Sequence, residues 1–192
     1  VESRGRHRAR LLFDFYDGGG LDLACLGFAE VDRGGNVNAS LVDGRIFGAG
    51  GFINISQAAK KVVFCGTLTA GGLRTDLSDG QLRVTTEGRH HKFIDKVHQV
   101  TFNADLARER GQEVFYVTER AVFVLGVDGP VLVEVAPGWT AEEIVALMDF
   151  RPDLAEHIRP MSTALFAECR GTAKPARGAQ LDDTDGPINM GQ

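Results

Sequence analysis

The sequence predicts an α/β domain whose sheet carries added hairpins. Three observations support this. Val62-Val63-Phe64-Cys65 is apolar without alternation, which suits a strand covered on both faces in an open α/β sheet. Two segments carry helix signals, and three others read strand, turn, strand. The order is not a strict βαβ repeat, so the hairpins decorate the sheet.

The 192 residues allow one domain, or one domain with a tail. Val1 to Arg10 contains four arginines and a histidine and differs from the rest. It reads as a basic arm or a truncation point. Residues 11–170 form the expected domain. Residues 171–192 lack periodicity and read as a disordered tail, with Asp182, Asp183 and Asp185 clustered there.

Phe13 and Phe15 alternate with polar neighbours, so Leu11–Tyr16 suggests a short strand ending at Gly18-Gly19-Gly20. Asp14, Asp17 and Asp22 beside that loop suit turn capping. Leu23–Phe28 and Val37–Leu41 flank the turn Asp32-Arg33-Gly34-Gly35-Asn36. Thr75–Leu77 and Gln81–Thr85 flank Ser78-Asp79-Gly80, and Val122–Leu125 and Val131–Val135 flank a turn with Gly126 and Gly129. Asn103 to Gly111 reads as a short helix closed by Gly111, followed by the buried strand Val114–Val117. Glu119 and Arg120 come next and suit pairing with each other or with a ligand. Thr140-Ala-Glu-Glu143 is a capping box. Ile144, Leu147 and Met148 share the apolar face of its helix, and Pro152 is its expected stop.

Thirteen of the 24 glycines lie between Gly18 and Gly72, where average usage near 7 % places about four. Gly48, Gly50 and Gly51 form a loop before the buried strand. Lacking Cβ atoms, they let backbone amides approach a ligand closely, and consecutive amides make a concave oxyanion or phosphate site. The same G-x-G-G also suits a tight turn with no ligand. In an open α/β sheet the usual ligand crevice lies at strand ends.

The composition narrows the function. A net charge of −5 opposes general nucleic-acid binding, which needs a basic face. No apolar run reaches the ~20 residues that span a bilayer, so no membrane role is expected. Cys25, Cys65 and Cys169 are odd in number and far apart. They form no C-x-x-C metal site, no metal is expected, and a reducing, cytoplasmic setting follows. Cys65 reads as a small buried hydrophobe. The five histidines form no constellation by spacing.

Several long motifs in order resemble family I CoA-transferases of the acetate/propionate type. They are Phe13-Asp14-Phe15-Tyr16-Asp17-Gly18-Gly19-Gly20-Leu21-Asp22, Gly48 to Gln57, Lys60 to Gly72, Val114 to Phe123, and Met148-Asp149-Phe150-Arg151-Pro152. The resemblance runs from about Leu12 to Phe166 and covers the C-terminal portion of the family's usual length. It implies a NagB/RpiA-like α/β domain with a largely parallel sheet, helices on both faces and added hairpins.

The resemblance also implies a reaction: coenzyme A moves from an acyl-CoA to a short-chain carboxylate through a glutamyl-CoA thioester. CoA is then a substrate, and no permanently bound cofactor is expected. Val1-Glu2-Ser3 matches the start of the family's nucleophile motif, which makes Glu2 the candidate nucleophile. Arg4 to Arg8 replace the glycines that follow in the family, and ten residues separate Glu2 from Phe13. Gly48, Gly50, Gly51, Phe52 and Asn54 are the candidate oxyanion and CoA wall. Lys60 and Lys61 are candidate phosphate contacts, or two solvated lysines. The implied partners are an acyl-CoA, a carboxylate, an N-terminal CoA-transferase half and an oligomer. In this reading the isolated chain is incomplete and weakly active or inactive. The alternative is a non-catalytic module that binds an acyl-CoA or phosphorylated metabolite.

Overall fold

The structure, a computed structural model, describes residues 14–16, 18–78 and 81–166. The Val1–Arg10 arm, Glu2, Asp17, the Asp79-Gly80 turn, Cys169 and the 171–192 tail lie outside them.

Six strands build the central sheet in chain order: β1 (Leu23–Gly27), β2 (Lys61–Cys65), β3 (Glu113–Val117), β4 (Ala121–Leu125), β5 (Pro130–Val135) and β6 (Asp153–Pro160). β1, β2 and β3 run parallel, β4 is antiparallel to both neighbours, and β5 and β6 pair in parallel. The sheet is therefore mostly parallel, and the class is α/β as expected. The Val122–Leu125/Val131–Val135 hairpin forms as the β4–β5 pair. Arg74–Ser78 and Gln81–Thr86 also pair as an antiparallel hairpin.

One face of the sheet carries the core. Ala24, Val62, Phe64, Val114, Tyr116, Phe123 and Leu132 are buried there. Phe64 stacks on Tyr116 and meets Phe102 edge-on, with centroids 5.8 and 4.9 Å apart; such pairs add to area burial. The helices α1 (Phe52–Ala58), α2 (Ala104–Glu109) and α3 (Ala141–Val145) all lend side chains to this cluster, through Phe52 and Ile55, Ala107, and Ile144.

The opposite face corrects two expectations. Val63 and Phe115 are only half-buried and Cys65 is exposed, so the Val62–Cys65 run is covered on one face, not two. Cys65 is therefore not a buried hydrophobe. A small second cluster of Leu82, Ala136, Met161 and Phe166 covers this face only near Val122.

Three local expectations also change. Asp14–Tyr16 is helical rather than extended, and Gly20 N–H closes the turn on Phe15 O at 3.0 Å. Helix formation at Phe15 overrides a two-residue alternation because so short a pattern fixes no period. The Asp32–Asn36 turn forms, but Glu30–Asp32 rather than Leu23–Phe28 pairs with Val37–Asn38. The buried Asp32 carboxylate accepts from Asn36 N at 2.9 Å and shapes that turn. Finally, α3 ends at Val145, well before Pro152, and turns carry the chain to Phe150.

The helix starts follow the sequence. Asn103 Oδ1 accepts from Leu106 N at 3.0 Å, and the Thr140–Glu143 capping box is complete.

Candidate functional site

The glycine loop sits where the topology points α1 at the carboxyl edge of the sheet. Lys60 N–H and Lys61 N–H donate to Leu21 O and Asp22 O, which fixes the end of α1 beside the start of β1. Gln112 Nε2 donates to Ser56 O and Ala59 O, and Arg110 donates to Gln57 O at 2.9 Å, so the Ser56 and Gln57 carbonyls of α1 find partners there. The opposite end of α1, about 10 Å away at 1.5 Å per residue, leads toward the carboxyl ends of β1 and β2. Gly48, Ala49, Gly50 and Gly51 form that end.

Gly48 and Gly50 have φ of 80° and 51°, and a Cβ at either would meet nothing within 4 Å. Their backbone thus faces open space. Among the described residues the amides of Gly48, Gly50 and Gly51 donate no hydrogen bond, while Phe52 N–H donates to Ala49 O at 2.9 Å. Ile46 and Phe47, just before the loop, are 77 % and 71 % exposed, an apolar lip beside free donors.

The other candidate residues are dispersed. Phe52 stacks on Phe64 at 5.8 Å and anchors the start of α1 in the core. Asn54 lies half-buried in α1. Lys60 pairs with Asp22 at 2.8 Å and Lys61 with Glu113 at 2.8 Å. Both lysines sit at the amino end of β2, the edge opposite the glycine loop, and the structure does not bring them to it. Glu2 lies outside the described residues.

A second feature occupies the same carboxyl edge. Arg120 lies in the turn between β3 and β4, immediately before Ala121, and is fully buried. Its Nε donates to Glu119 Oε1 at 2.7 Å, and its two terminal nitrogens reach Glu87 at 2.7 and 2.8 Å. Its guanidinium lies 4.7 Å from the Trp139 ring centroid. Thr69 and Gly88 also donate to Glu87. Glu119 in turn accepts from Leu68 N at 2.9 Å. The bidentate Arg120 bond, with help from Thr69 and Gly88, holds the Glu87 carboxyl at about 2, well below its usual range. The expected Glu119–Arg120 pair is present. Glu87 is the partner that sequence reasoning missed, because it lies 33 residues away with no local pattern to mark it.

A cleft of about 790 Å³ opens beside this network. Arg89, His90, His91, Lys92, His98 and Asp149 are among its walls. By spacing the histidines form no constellation, yet folding gathers His90, His91 and His98 here. His91 pairs with Asp149 and His98 with Glu30, each at 2.7 Å.

On the sheet's open face, partial desolvation and the neighbouring Cys25 push the Cys65 thiol up, which disfavours the reactive thiolate.

These features define an α/β domain with free backbone donors at the carboxyl edge of a mostly parallel sheet, the usual ligand side of such sheets. No protein-family model matches the chain. It is 50 % identical to the acetate CoA-transferase YdiF of Escherichia coli K12 over 157 residues, covering 81 % of this chain and 30 % of that protein. It is 44 % identical to the caffeate CoA-transferase of Acetobacterium woodii over 163 residues, 82 % of this chain and 31 % of that protein.

Solved structures agree. The apoenzyme of acyl-CoA transferase YdiF from Escherichia coli O157:H7 matches with a TM-score of 0.80 at 50 % identity, over 81 % of this chain and 30 % of that one. The YdiF thioester complex with CoA matches at 0.79 and 49 % identity, over 81 % and 31 %. Glutaconate coenzyme A-transferase from Acidaminococcus fermentans shares the fold, with a TM-score of 0.52 at 18 % identity over 73 % of this chain and 53 % of that one. Over most of its length the chain is therefore similar to one segment of these CoA-transferases. It spans about 30 % of the length of the curated relatives it matches.

Proposed function

We propose that this chain is the C-terminal portion of a CoA-transferase that moves coenzyme A between an acyl-CoA and a short-chain carboxylate of the acetate/propionate class. The observation that carries this reading is the glycine loop: Gly48, Gly50 and Gly51 present unbonded amides at the carboxyl edge, in a segment 50 % identical to an acetate CoA-transferase.

In the proposed chemistry a glutamate carboxylate attacks the thioester carbonyl and expels CoA thiolate, leaving an acyl-glutamyl anhydride. The thiolate then attacks the glutamyl carbonyl, releases the original acid and forms a glutamyl-CoA thioester. The acceptor carboxylate reverses both steps. A carboxylate nucleophile suits the reaction because the anhydride keeps the acyl group activated. Each attack turns a carbonyl oxygen into an oxyanion, and preorganised backbone amides are the donors it needs. Gly50 and Gly51 take that role and Gly48 shapes the approach. In this reading Glu2 is the candidate nucleophile, on the match of Val1-Glu2-Ser3 to the start of the family's nucleophile motif.

As partners we propose the two substrates and an N-terminal CoA-transferase half, in the same chain or as a separate subunit, within an oligomer. The half-exposed apolar face around Val63 and Phe115 supports this, since contiguous apolar surface of this kind marks protein contacts. Without that half, little or no exchange between acetyl-CoA and propionate is expected.

The test is incubation with acetyl-CoA, borohydride reduction and peptide mapping, with and without a co-expressed N-terminal half. A reducible thioester on Glu2 or on a glutamate of that half is expected. Acetyl-CoA binding with no adduct in either sample assigns the chain to a non-catalytic binding module. Absence of both binding and adduct overturns the proposal.

A further inference from the structure

Lys92 is a charged group of the cleft that the proposed reaction does not use. It is 8 % exposed, and its ammonium sits 3.9 Å from the Phe28 ring centroid. Gly66 makes room for it: a Cβ there would lie 2.7 Å from Nζ. The backbone on either side is fixed, with Lys92 N–H donating to Leu68 O and Lys92 O accepting from Val31 N.

Among the described residues the ammonium makes no hydrogen bond and no ion pair. The Glu119 carboxylate favours its charge, but the two Glu119 oxygens already serve Arg120 and Leu68. The other acids of the cleft are similarly occupied: Glu30 holds His98 and Asn38, and Asp149 holds His91. Asp43 stands exposed at the wall. Phe28 follows β1, Gly66 follows β2 and Glu119 follows the end of β3, so Lys92 Nζ lies at the carboxyl ends of all three parallel strands.

A nearly buried cation costs free energy unless an anion or acceptor meets it. The aromatic face of Phe28 offsets part of that cost. Burial pushes the Lys92 ammonium down to about 8, so its charge is held with difficulty and a bound anion stabilises it.

We propose that Lys92 anchors an oxyanion-binding subsite at the floor of this cleft, taking the carboxylate or phosphate oxygens of a ligand, with Arg89 and His90 at its mouth. The glycine loop does not line this cleft, so the subsite stands whether or not the transferase reading does.

The test is lysine labelling of the whole wild-type chain, followed by mass spectrometry, at pH 8.5 and fixed ionic strength. The arms contain sodium chloride, inorganic phosphate or acetate. At saturation we expect about tenfold slower modification of Lys92 in phosphate or acetate than in chloride, with Lys60 and Lys61 unchanged. Protection by acetate alone assigns the site to carboxylates, and protection by phosphate alone assigns it to phosphates. No protection in either arm, or equal protection of all three lysines, overturns the proposal. A second measurement follows the amides of Ala70–Lys92 by NMR during phosphate and acetate titrations. Lys92→Met should weaken binding at least tenfold and Lys92→Arg should restore part of it. Equal binding by wild type and Lys92→Met shows that the ammonium only balances Glu119.

Discussion

Arg120→Met tests the network at the carboxyl edge. Arg120 is fully buried, while the side chains of Glu119 and Glu87 are 16 % and 35 % exposed. Methionine keeps much of the volume but leaves two carboxylates facing each other. Breaking a buried pair costs about 3–5 kcal/mol. Glu87 can regain some water, which places the expected loss near the lower figure, about 3 kcal/mol. For a domain of this size that lowers Tm by roughly 6–12 °C.

The acid limb of the stability curve gives an independent readout. Glu87 falls from 4.5 to about 2 on folding, worth roughly 3 kcal/mol at 1.36 kcal/mol per pH unit. Its partial exposure reduces this to about 2 kcal/mol. The folded value is the lower one. The stabilisation is therefore complete above the unfolded value near 4.5 and is lost as pH falls from there toward 2. Urea melts between pH 2 and 7 should show this decline in the wild type and a much flatter limb in Arg120→Met. A loss below about 1 kcal/mol at pH 7, with the acid limb unchanged, refutes the assignment of a coupled buried network.

Two further substitutions test the packing. Gly35→Ala should cost about 2–4 kcal/mol by thermal melt, because φ there is +90° and the new methyl would lie 2.5 Å from Leu125 Cδ1 and 2.9 Å from Tyr116 Oη. A loss under 1 kcal/mol means that this contact yields freely. Asn103→Ala removes the side-chain acceptor for Leu106 N–H and should cost about 1 kcal/mol; chemical denaturation with no measurable change means water replaces the cap.

Short-range chemistry was legible in the sequence. Asn103 and Thr140 start helices because their side-chain oxygens reach an amide three residues on, a distance set by the backbone alone. The Asp79 and Gly129 turns marked hairpins because strand pairing follows from a short loop. The glycine loop before α1 was equally visible, since glycine is the residue that tolerates the backbone adopted at Gly48 and Gly50.

Pairings distant in sequence were not legible. Val63 and Cys65 have the apolar character of buried residues, and only the packing of the chain decides that their face stays half-open. Leu23–Gly27 joins β2 across 38 residues because a parallel partner and a helix crossover compete with the nearer hairpin turn. Glu87 reaches Arg120 from 33 residues away, and Lys92 meets Phe28 and Gly66 in the same corner. The sequence by itself determined the caps, the turns, the α/β class and the likeness to CoA-transferases, all of which depend on neighbours along the chain. Tertiary structure alone decided which sheet face is covered and which charges share the carboxyl edge, because those depend on which strand ends meet in space.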